Sequence, residues 1–256
     1  MSNSKKIAII TGASSGLGEE LVLSLNDFFP QIDEYWLIAR NMDAMESLAR
    51  KVSNKSCQII PLDLMDRNSI EILQQKLEDE KPNISMLINN AGSGILCNVG
   101  EGKLDNQLSM LDINIYFSTA LTHMCIPYIH QGGRIINISS STAFCTTPRM
   151  TVYSASKQYI IAFTQGINEE LKSKGIVATV ICPGLMKTKF LDKKNIKGES
   201  KSFNSLPYCD TGKVARGGLN ASSKGKSFYT PTMFYKSYRV LAKVLPHTFL
   251  IKFLTQ

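Results

Sequence analysis

The fold is decided by the stretch KIAIITGASSGLG, which occupies residues 6–18. Its first half is an apolar run typical of a buried strand, and its second half places Gly12, Gly16 and Gly18 just before a helical pattern. A strand that turns tightly into a helix directs backbone N–H groups and the positive end of the helix dipole at one point, where a phosphate group can bind. Glycine suits this turn because a Cβ would keep the backbone away from the phosphate. The stretch therefore predicts a phosphate-binding turn in an α/β fold.

The same alternation of short apolar runs and longer amphipathic segments continues along the chain. We expect strands at Lys6–Ile10, Tyr35–Ala39, Cys57–Leu62, Met86–Asn89, Arg134–Ile138, Ile176–Ile181 and Phe228–Thr230. We expect helices at Gly18–Phe28, Asp43–Lys51, Ser69–Glu80, Asp105–Met124 and Val152–Lys174. The pattern predicts one α/β domain over residues 1–256, a Rossmann-like doubly wound fold with a mainly parallel seven-stranded sheet.

Composition and charge narrow the function classes. The chain has 43% hydrophobic residues and no apolar run of the roughly 20 residues that a membrane span requires. Its six cysteines form no Cys-x-x-Cys pair, so we expect neither a metal site nor disulfides. The apolar stretch from Ile7 to Ile10 is too short for the core of a secretory signal, so we expect a cytoplasmic protein. The net charge of +8 raises the question of nucleic acid. The lysines that follow residue 186 lie in a polar stretch that looks like a solvated loop rather than a helix face interleaved with aromatics, and we expect no nucleic-acid partner.

A serine hydrolase is an alternative interpretation of the glycine turn. The residues from Gly12 to Gly16 also match Gly-x-Ser-x-Gly, the nucleophile elbow of α/β-hydrolases. Such an enzyme needs an acid and a histidine downstream, and the chain offers only His123, His130 and His247. None of the three follows a predicted strand, so the phosphate-binding turn is the preferred interpretation.

The residue after the second strand bears on the choice of dinucleotide. In dinucleotide-binding folds an acidic residue about 20 positions beyond the glycines binds the ribose hydroxyls. Here Ala39 is followed by Arg40, whose guanidinium can pair with a 2'-phosphate instead. We therefore expect NADP(H) as the preferred cofactor, with NAD(H) as the second choice.

A tyrosine and a lysine at helical spacing indicate acid–base chemistry. Tyr153 and Lys157 are four residues apart in a predicted helix and so share one face. A phenol has a pKa of about 10, which a nearby cation lowers by roughly 1 to 3 units, so the pair could exchange a proton closer to neutral pH. Ser139, Ser140 and Ser141 close the fifth predicted strand, and the carboxyl ends of strands are where open α/β sheets bind ligands.

Together these motifs resemble the short-chain dehydrogenase/reductase family, over residues 6 to about 190. The resemblance is carried in order by the stretch from Thr11 to Gly18, Asn89-Asn90-Ala91-Gly92, Asn114, Ser140, Tyr153 with Lys157, and Pro183-Gly184 with Thr188. It implies that Tyr153 donates and accepts the proton, with Lys157 lowering its pKa and holding the nicotinamide ribose. It further implies that Ser140 binds the substrate oxygen and that Asn114 orders a water in a proton relay.

The resemblance also implies a set of cofactor-binding residues. These are Gly12, Ser14, Ser15, Gly16, Leu17, Gly18, Arg40, Asp63, Leu64, Asn90, Ala91, Gly92, Tyr153, Lys157, Pro183, Gly184 and Thr188. Helix capping or turn formation is an alternative role for Asp63 and Asn114. Ser15 departs from the pattern, because many NADP-preferring members carry a basic residue there, so that Arg40 alone carries the preference.

The expected activity is reversible reduction of a ketone or other carbonyl, with a non-catalytic NADP-binding sensor as an alternative from another class. Residues 185–212 mix apolar and polar side chains, which predicts a flap over the substrate site, with a disordered connector as the alternative. Residues 233–256 form an apolar tail that Pro246 divides into two helical pieces, a C-terminal helical extension. The tail suggests a hydrophobic, 3-ketoacyl- or lipid-like substrate or peripheral membrane contact, with packing on the core or a second subunit as the alternative. Family habit implies a homo-oligomer.

Overall fold

Seven strands form one sheet in the part of the chain that the computed structural model describes, residues 5–188, 190 and 206–254. The strands are β1 (Lys6–Thr11), β2 (Glu34–Ala39), β3 (Ser56–Pro61), β4 (Asn83–Asn89), β5 (Ile129–Ile138), β6 (Val177–Ile181) and β7 (Phe228–Tyr229). Their order is β3-β2-β1-β4-β5-β6-β7, and every neighbouring pair is parallel. The predicted Rossmann-like doubly wound fold is confirmed. The order reverses between β1 and β4, which is where such sheets bind ligands.

Helices cover both faces of the sheet. They are α1 (Gly16–Phe28), α2 (Met42–Lys51), α3 (Asn68–Glu80), α4 (Leu104–Leu111), α5 (Ser118–Cys125), α6 (Thr151–Glu170), α7 (Thr211–Ser223), α8 (Met233–Val244) and α9 (His247–Leu254). Side chains of a strand alternate between its two faces, so Ala8 and Ile10 belong to one core and Ile7 and Ile9 to the other. Burial on both faces explains why β1 is apolar from Ile7 to Ile10.

Two helical regions differ from the prediction. The helix expected over Asp105–Met124 is interrupted by a π-helical turn, Asp112–Phe117, which separates α4 from α5. Helix α7 was not predicted, since Gly217 and Gly218 weaken its helical pattern. A Cβ at Gly217 would lie 1.9 Å from the Tyr229 hydroxyl, and one at Gly218 would lie 2.2 Å from Cδ1 of Ile181. The glycines therefore let α7 approach the sheet closely.

The C-terminal region contains the predicted pair of helices, α8 and α9, on either side of Pro246. None of the described helices is both long and apolar enough to span a membrane. Part of the predicted flap, residues 189 and 191–205, lies outside the described residues, as do residues 255–256 of the tail.

Candidate active site

The glycine turn joins β1 to α1 with backbone conformations that favour glycine. Gly12 and Gly16 have φ angles of +67° and +60°. A Cβ on Gly12 would lie 2.8 Å from Nδ2 of Asn90 and 2.9 Å from Cα of Ala91, so no larger residue fits against the end of β4. A Cβ on Gly18 would lie 2.1 Å from the Gly12 carbonyl oxygen. Gly18 thus packs α1 against the turn.

Asn90 and Ala91 hold the glycine turn in place. The Asn90 amide Nδ2 donates to the carbonyl oxygens of Thr11 and Gly12, both at 3.1 Å. The Thr11 hydroxyl accepts hydrogen bonds from the backbone N–H groups of Asn90 at 3.0 Å and Ala91 at 3.1 Å. These bonds connect the ends of β1 and β4, which flank the point where the strand order reverses.

A cavity of about 430 Å³ extends from this turn to the start of α6. Among its lining residues are Gly12, Ser14, Ser15, Gly16, Leu17, Arg40, Asp63, Leu64, Asn90, Ala91, Gly92, Ser140, Tyr153, Lys157, Pro183, Gly184 and Thr188. Of the predicted site residues, Gly18 and Asn114 do not line it.

All three histidines are in the described part of the chain, each is exposed, and none lines the cavity. The hydrolase alternative therefore lacks its base.

Arg40 directly follows the last residue of β2 and lines the cavity. Its Nη1 is 3.9 Å from Oδ2 of Asp63, and both side chains are at least half exposed. The other carboxylate oxygen of Asp63 accepts a hydrogen bond from the Met65 N–H at 3.1 Å. At this distance and exposure the ion pair is weak. The guanidinium is therefore accessible to an anionic group in the cavity.

Tyr153 and Lys157 are both buried on the cavity side of α6. The Lys157 ammonium lies 5.8 Å from the Tyr153 ring centre and donates to the Ile138 carbonyl oxygen at 3.0 Å. Burial raises the pKa of Tyr153 to about 12, and a hydrogen bond with Ser140 acts in the opposite direction. Burial lowers the pKa of Lys157 to about 8. The lowered phenol pKa expected from Lys157 is not found here, because loss of hydration outweighs the other contributions.

The serines after β5 have different partners. The Ser139 hydroxyl donates to the Lys157 carbonyl oxygen at 2.7 Å and so connects β5 to α6. The Ser140 oxygen accepts from the Thr142 N–H at 3.2 Å and the Thr142 hydroxyl at 3.0 Å. Ser140 also forms a hydrogen bond with Tyr153, so it is Ser140 rather than Ser139 that contacts the phenol.

Asn114 lies behind the cavity in the π-helical turn and is almost fully buried. Its amide nitrogen donates to the Ser93 carbonyl oxygen at 2.9 Å and the Ser156 hydroxyl at 3.0 Å. Its amide oxygen accepts from the Ser93 N–H at 3.0 Å. Asn114 thereby fixes the loop after β4 against α6. Its expected part in a proton relay stays a prediction.

No cluster of three or more His, Cys, Asp or Glu side chains suited to a metal ion occurs among the described residues. The cavity brings together a phenol, an amine and a hydroxyl beside the glycine turn. In a comparison with known protein families, the family model described as short chain dehydrogenase matches residues 6–198.

The chain belongs to the short-chain dehydrogenase family.

Individual proteins that are similar to this short-chain dehydrogenase are oxidoreductases or members of the same family. An uncharacterized oxidoreductase of Staphylococcus aureus (strain N315) is 29% identical over 185 residues, which is 72% of this chain and 79% of the relative. A short-chain dehydrogenase from Sphingobium yanoikuyae, solved in complex with NADPH, superimposes with a TM-score of 0.78 at 20% identity, covering 94% of this chain and 96% of the other. A family member from Burkholderia phymatum, solved with NAD, has a TM-score of 0.77 at 16% identity, covering 94% of each chain.

The predicted flap and tail of this dehydrogenase supply residues whose contacts at the site the sequence did not predict. The Tyr235 hydroxyl, on α8, accepts from the Leu185 N–H at 3.2 Å and donates to the Pro207 carbonyl oxygen at 2.8 Å. A Cβ on Gly184 would lie 2.0 Å from the Tyr235 ring, so this glycine makes room for the tyrosine. At the cavity, the Phe190 ring centre is 6.0 Å from that of Tyr153. The apolar tail thus supports the segment after β6.

Proposed function

We propose that this short-chain dehydrogenase is an NADP(H)-dependent carbonyl reductase that reversibly converts a ketone into an alcohol. The observation that carries the proposal is the meeting of Ser140, Tyr153 and Lys157 in the same cavity as the glycine turn and Arg40. A sensor that only binds a nucleotide has no need of a buried phenol, amine and hydroxyl beside each other.

The glycine turn fits a dinucleotide. Gly12 and Gly16 leave backbone surface that a Cβ would cover, at the end of a strand and the start of a helix. Ser14, Ser15 and Leu17 would lie along the pyrophosphate, with the segment from Asn90 to Gly92 nearby. The nicotinamide half of the dinucleotide would be held by Lys157, Pro183, Gly184 and Thr188. When bound, the nicotinamide would supply or accept the hydride.

Tyr153 would provide the proton. A pKa of about 12 keeps the phenol protonated at neutral pH, as the reduction of a carbonyl requires. The Ser140 hydroxyl bonds to this phenol and would bind the substrate oxygen between them. Lys157 is positively charged at pH 7 and would stabilise the phenolate left behind once the proton has moved.

Substitution of Tyr153 tests this mechanism. We expect Tyr153→Phe to retain cofactor binding and to lower turnover by about 10²–10⁴-fold, the usual contribution of a positioned acid or base. Tyr159→Phe is the matched control, because Tyr159 is on the same helix but is exposed and bonded to Thr119. Full activity of Tyr153→Phe would refute the mechanism. A Tyr153→Phe variant that binds cofactor while wild type shows no turnover on any carbonyl would favour the sensor.

Arg40 carries the proposed preference for NADP(H). Among the described residues, its exposed guanidinium has the Asp63 carboxylate as its one ion-pair partner, at 3.9 Å, which leaves donors for a 2'-phosphate. Structural neighbours have been solved with NADPH and with NAD, so the preference rests on this residue. A thermal-unfolding titration measures it, because a ligand at about 100 times its dissociation constant stabilises a protein by roughly 2.7 kcal/mol.

We expect wild type to be stabilised more by NADPH than by an equal concentration of NADH. Arg40→Gln should lose this difference while its response to NADH is retained. Arg50→Gln is the control, since Arg50 is exposed on α2 and pairs with Glu46 instead. An equal response of wild type to both cofactors would overturn the preference and leave the proposed reaction intact.

The cavity favours a hydrophobic carbonyl substrate. Its lining includes the apolar side chains of Met150, Met186, Phe190 and Leu206, and of these Met150 and Phe190 pack with Tyr153. Apolar walls around a few polar groups are typical of sites for small organic molecules. We expect kcat/KM to rise with the chain length of a ketone series, as measured by NADPH consumption. A preference for small polar carbonyls would contradict this.

A further inference from the structure

The net positive charge of this protein comes entirely from its C-terminal part. The first 210 residues contain 21 basic and 21 acidic side chains, whereas residues 211–256 contain eight basic and no acidic side chain. The two C-terminal helices, α8 and α9, therefore belong to a segment without internal charge compensation. Such a segment attracts anionic partners over distances comparable to the Debye length.

Helix α8 is apolar on two opposite faces. Its inner face is buried through Tyr235 and Ala242. Its outer face carries exposed apolar side chains at helical spacing, of which Met233 and Val244 are 73% and 75% exposed. We call this the α8 outer surface, and it consists of Met233, Phe234, Val240, Leu241 and Val244. Its members are about half to three-quarters exposed, with no described part of the chain covering them.

Two lysines border this surface. Lys236 and Lys243 are seven residues apart, so they lie on the same side of the helix, next to the apolar stripe. Both are exposed, and neither forms an ion pair with an acidic side chain of the described chain. An apolar stripe with lysines at its edge is the pattern of helices that lie in a membrane interface.

We propose that the α8 outer surface docks this enzyme on an anionic lipid bilayer, with the apolar side chains entering the interface and the lysines contacting lipid headgroups. Charge complementarity selects this partner. A symmetric contact between two copies through α8 would instead bring Lys236 and Lys243 of each copy close to those of the other. The lysines near the bilayer surface each strengthen binding about fivefold.

The same helix is attached to the edge of the cavity. On its inner face the Tyr235 hydroxyl bonds to the backbone of Leu185 and Pro207. Leu185 and Leu206, the residue before Pro207, both line the cavity. Docking through the outer face therefore brings the cavity edge close to the bilayer, where an apolar carbonyl would partition. This last consequence rests on the proposed function, whereas the docking itself does not.

Flotation of the full-length protein with lipid vesicles tests the proposal. We expect binding to vesicles that contain phosphatidylserine, weaker binding to vesicles of phosphatidylcholine alone, and loss of the difference at high salt. The double variant Lys236→Gln/Lys243→Gln should weaken binding by about 25-fold, at about fivefold for each lysine. The matched control is Lys103→Gln/Lys174→Gln, which removes the same charge from exposed positions elsewhere.

A second pair of variants separates the apolar contribution from the charge. Val240→Ser/Val244→Ser should lower binding to both kinds of vesicle, whereas Ile72→Ser, at an exposed apolar residue of α3, should not. Thermal unfolding and light scattering check that each variant is folded and report its oligomeric state. Equal vesicle binding by wild type, Lys236→Gln/Lys243→Gln and Val240→Ser/Val244→Ser would overturn the proposal. Dissociation of an oligomer by Val240→Ser/Val244→Ser, without vesicle binding by wild type, would assign the surface to a second copy instead.

Discussion

Replacement of Lys157 by methionine is expected to make the protein more stable and inactive. The side chain is almost completely buried, and burial lowers its pKa from 10.5 to about 8. At pH 7 it is protonated in both the folded and the unfolded chain. A difference of this size corresponds to about 3 kcal/mol of cost for carrying the buried charge, since each pKa unit is worth about 1.4 kcal/mol.

The lost hydrogen bond reduces the gain. Nζ of Lys157 donates to the Ile138 carbonyl oxygen at 3.0 Å, and a hydrogen bond from a charged group contributes about 1.5–3 kcal/mol. The net expectation is a stabilisation of about 1 kcal/mol at pH 7, or about 2–4 °C in Tm for a chain of this length. Methionine suits the position because its flexible apolar side chain fills a similar volume.

The pH dependence identifies the cause. Because the folded pKa lies below the unfolded one, the cost is complete below pH 8 and disappears as the pH rises from about 8 towards 10.5. The advantage of Lys157→Met should therefore be present at pH 7 and lost at pH 10, in chemical unfolding at both values. Lys174→Met, at an exposed lysine, should change stability little at either pH. A variant less stable than wild type at pH 7, or an advantage that persists at pH 10, would refute the reasoning.

Three further substitutions test the structural supports of the site. Gly18→Ala would place a Cβ 2.1 Å from the Gly12 carbonyl oxygen, so calorimetry should show a loss of about 1–3 kcal/mol and a weaker response to NADPH. Asn114→Ala would remove both hydrogen bonds to the Ser93 backbone, and chemical unfolding should show a loss of about 2–3 kcal/mol. Tyr235→Phe would remove the two hydrogen bonds of its hydroxyl, so steady-state kinetics should show a raised KM with a stability loss of about 1–2 kcal/mol.

Each of these substitutions has a control of the same chemistry. Gly166→Ala, in α6 with no atom near the added Cβ, should stabilise by about 0.5–1 kcal/mol. Asn98→Ala and Tyr208→Phe change exposed side chains and should have small effects. If a control is as damaging as its partner, the contact assigned to that partner is not the cause.

Local sequence patterns were enough to predict the strands of the sheet, the glycine turn and the pairing of Tyr153 with Lys157. Apolar runs at strand length and the glycines before α1 are short-range features, because strand burial and a tight turn are both set by neighbouring residues. The spacing of Tyr153 and Lys157 places them on one helix face for the same reason. Helix α7 was missed because its glycines serve a contact with β6 and β7 rather than its own helical propensity.

Other features depend on residues that are distant in the chain. The pairing of Arg40 with Asp63 and the bonds from Asn114 to Ser93 join separate βα loops, which meet only when the sheet is assembled. The direction of the Tyr153 pKa shift depends on burial, which no residue spacing specifies. The sequence by itself determined the family, the sheet and the residues that carry the chemistry. Tertiary packing decided which groups touch, which are dehydrated and which apolar face stays exposed, because these are properties of contacts between distant segments.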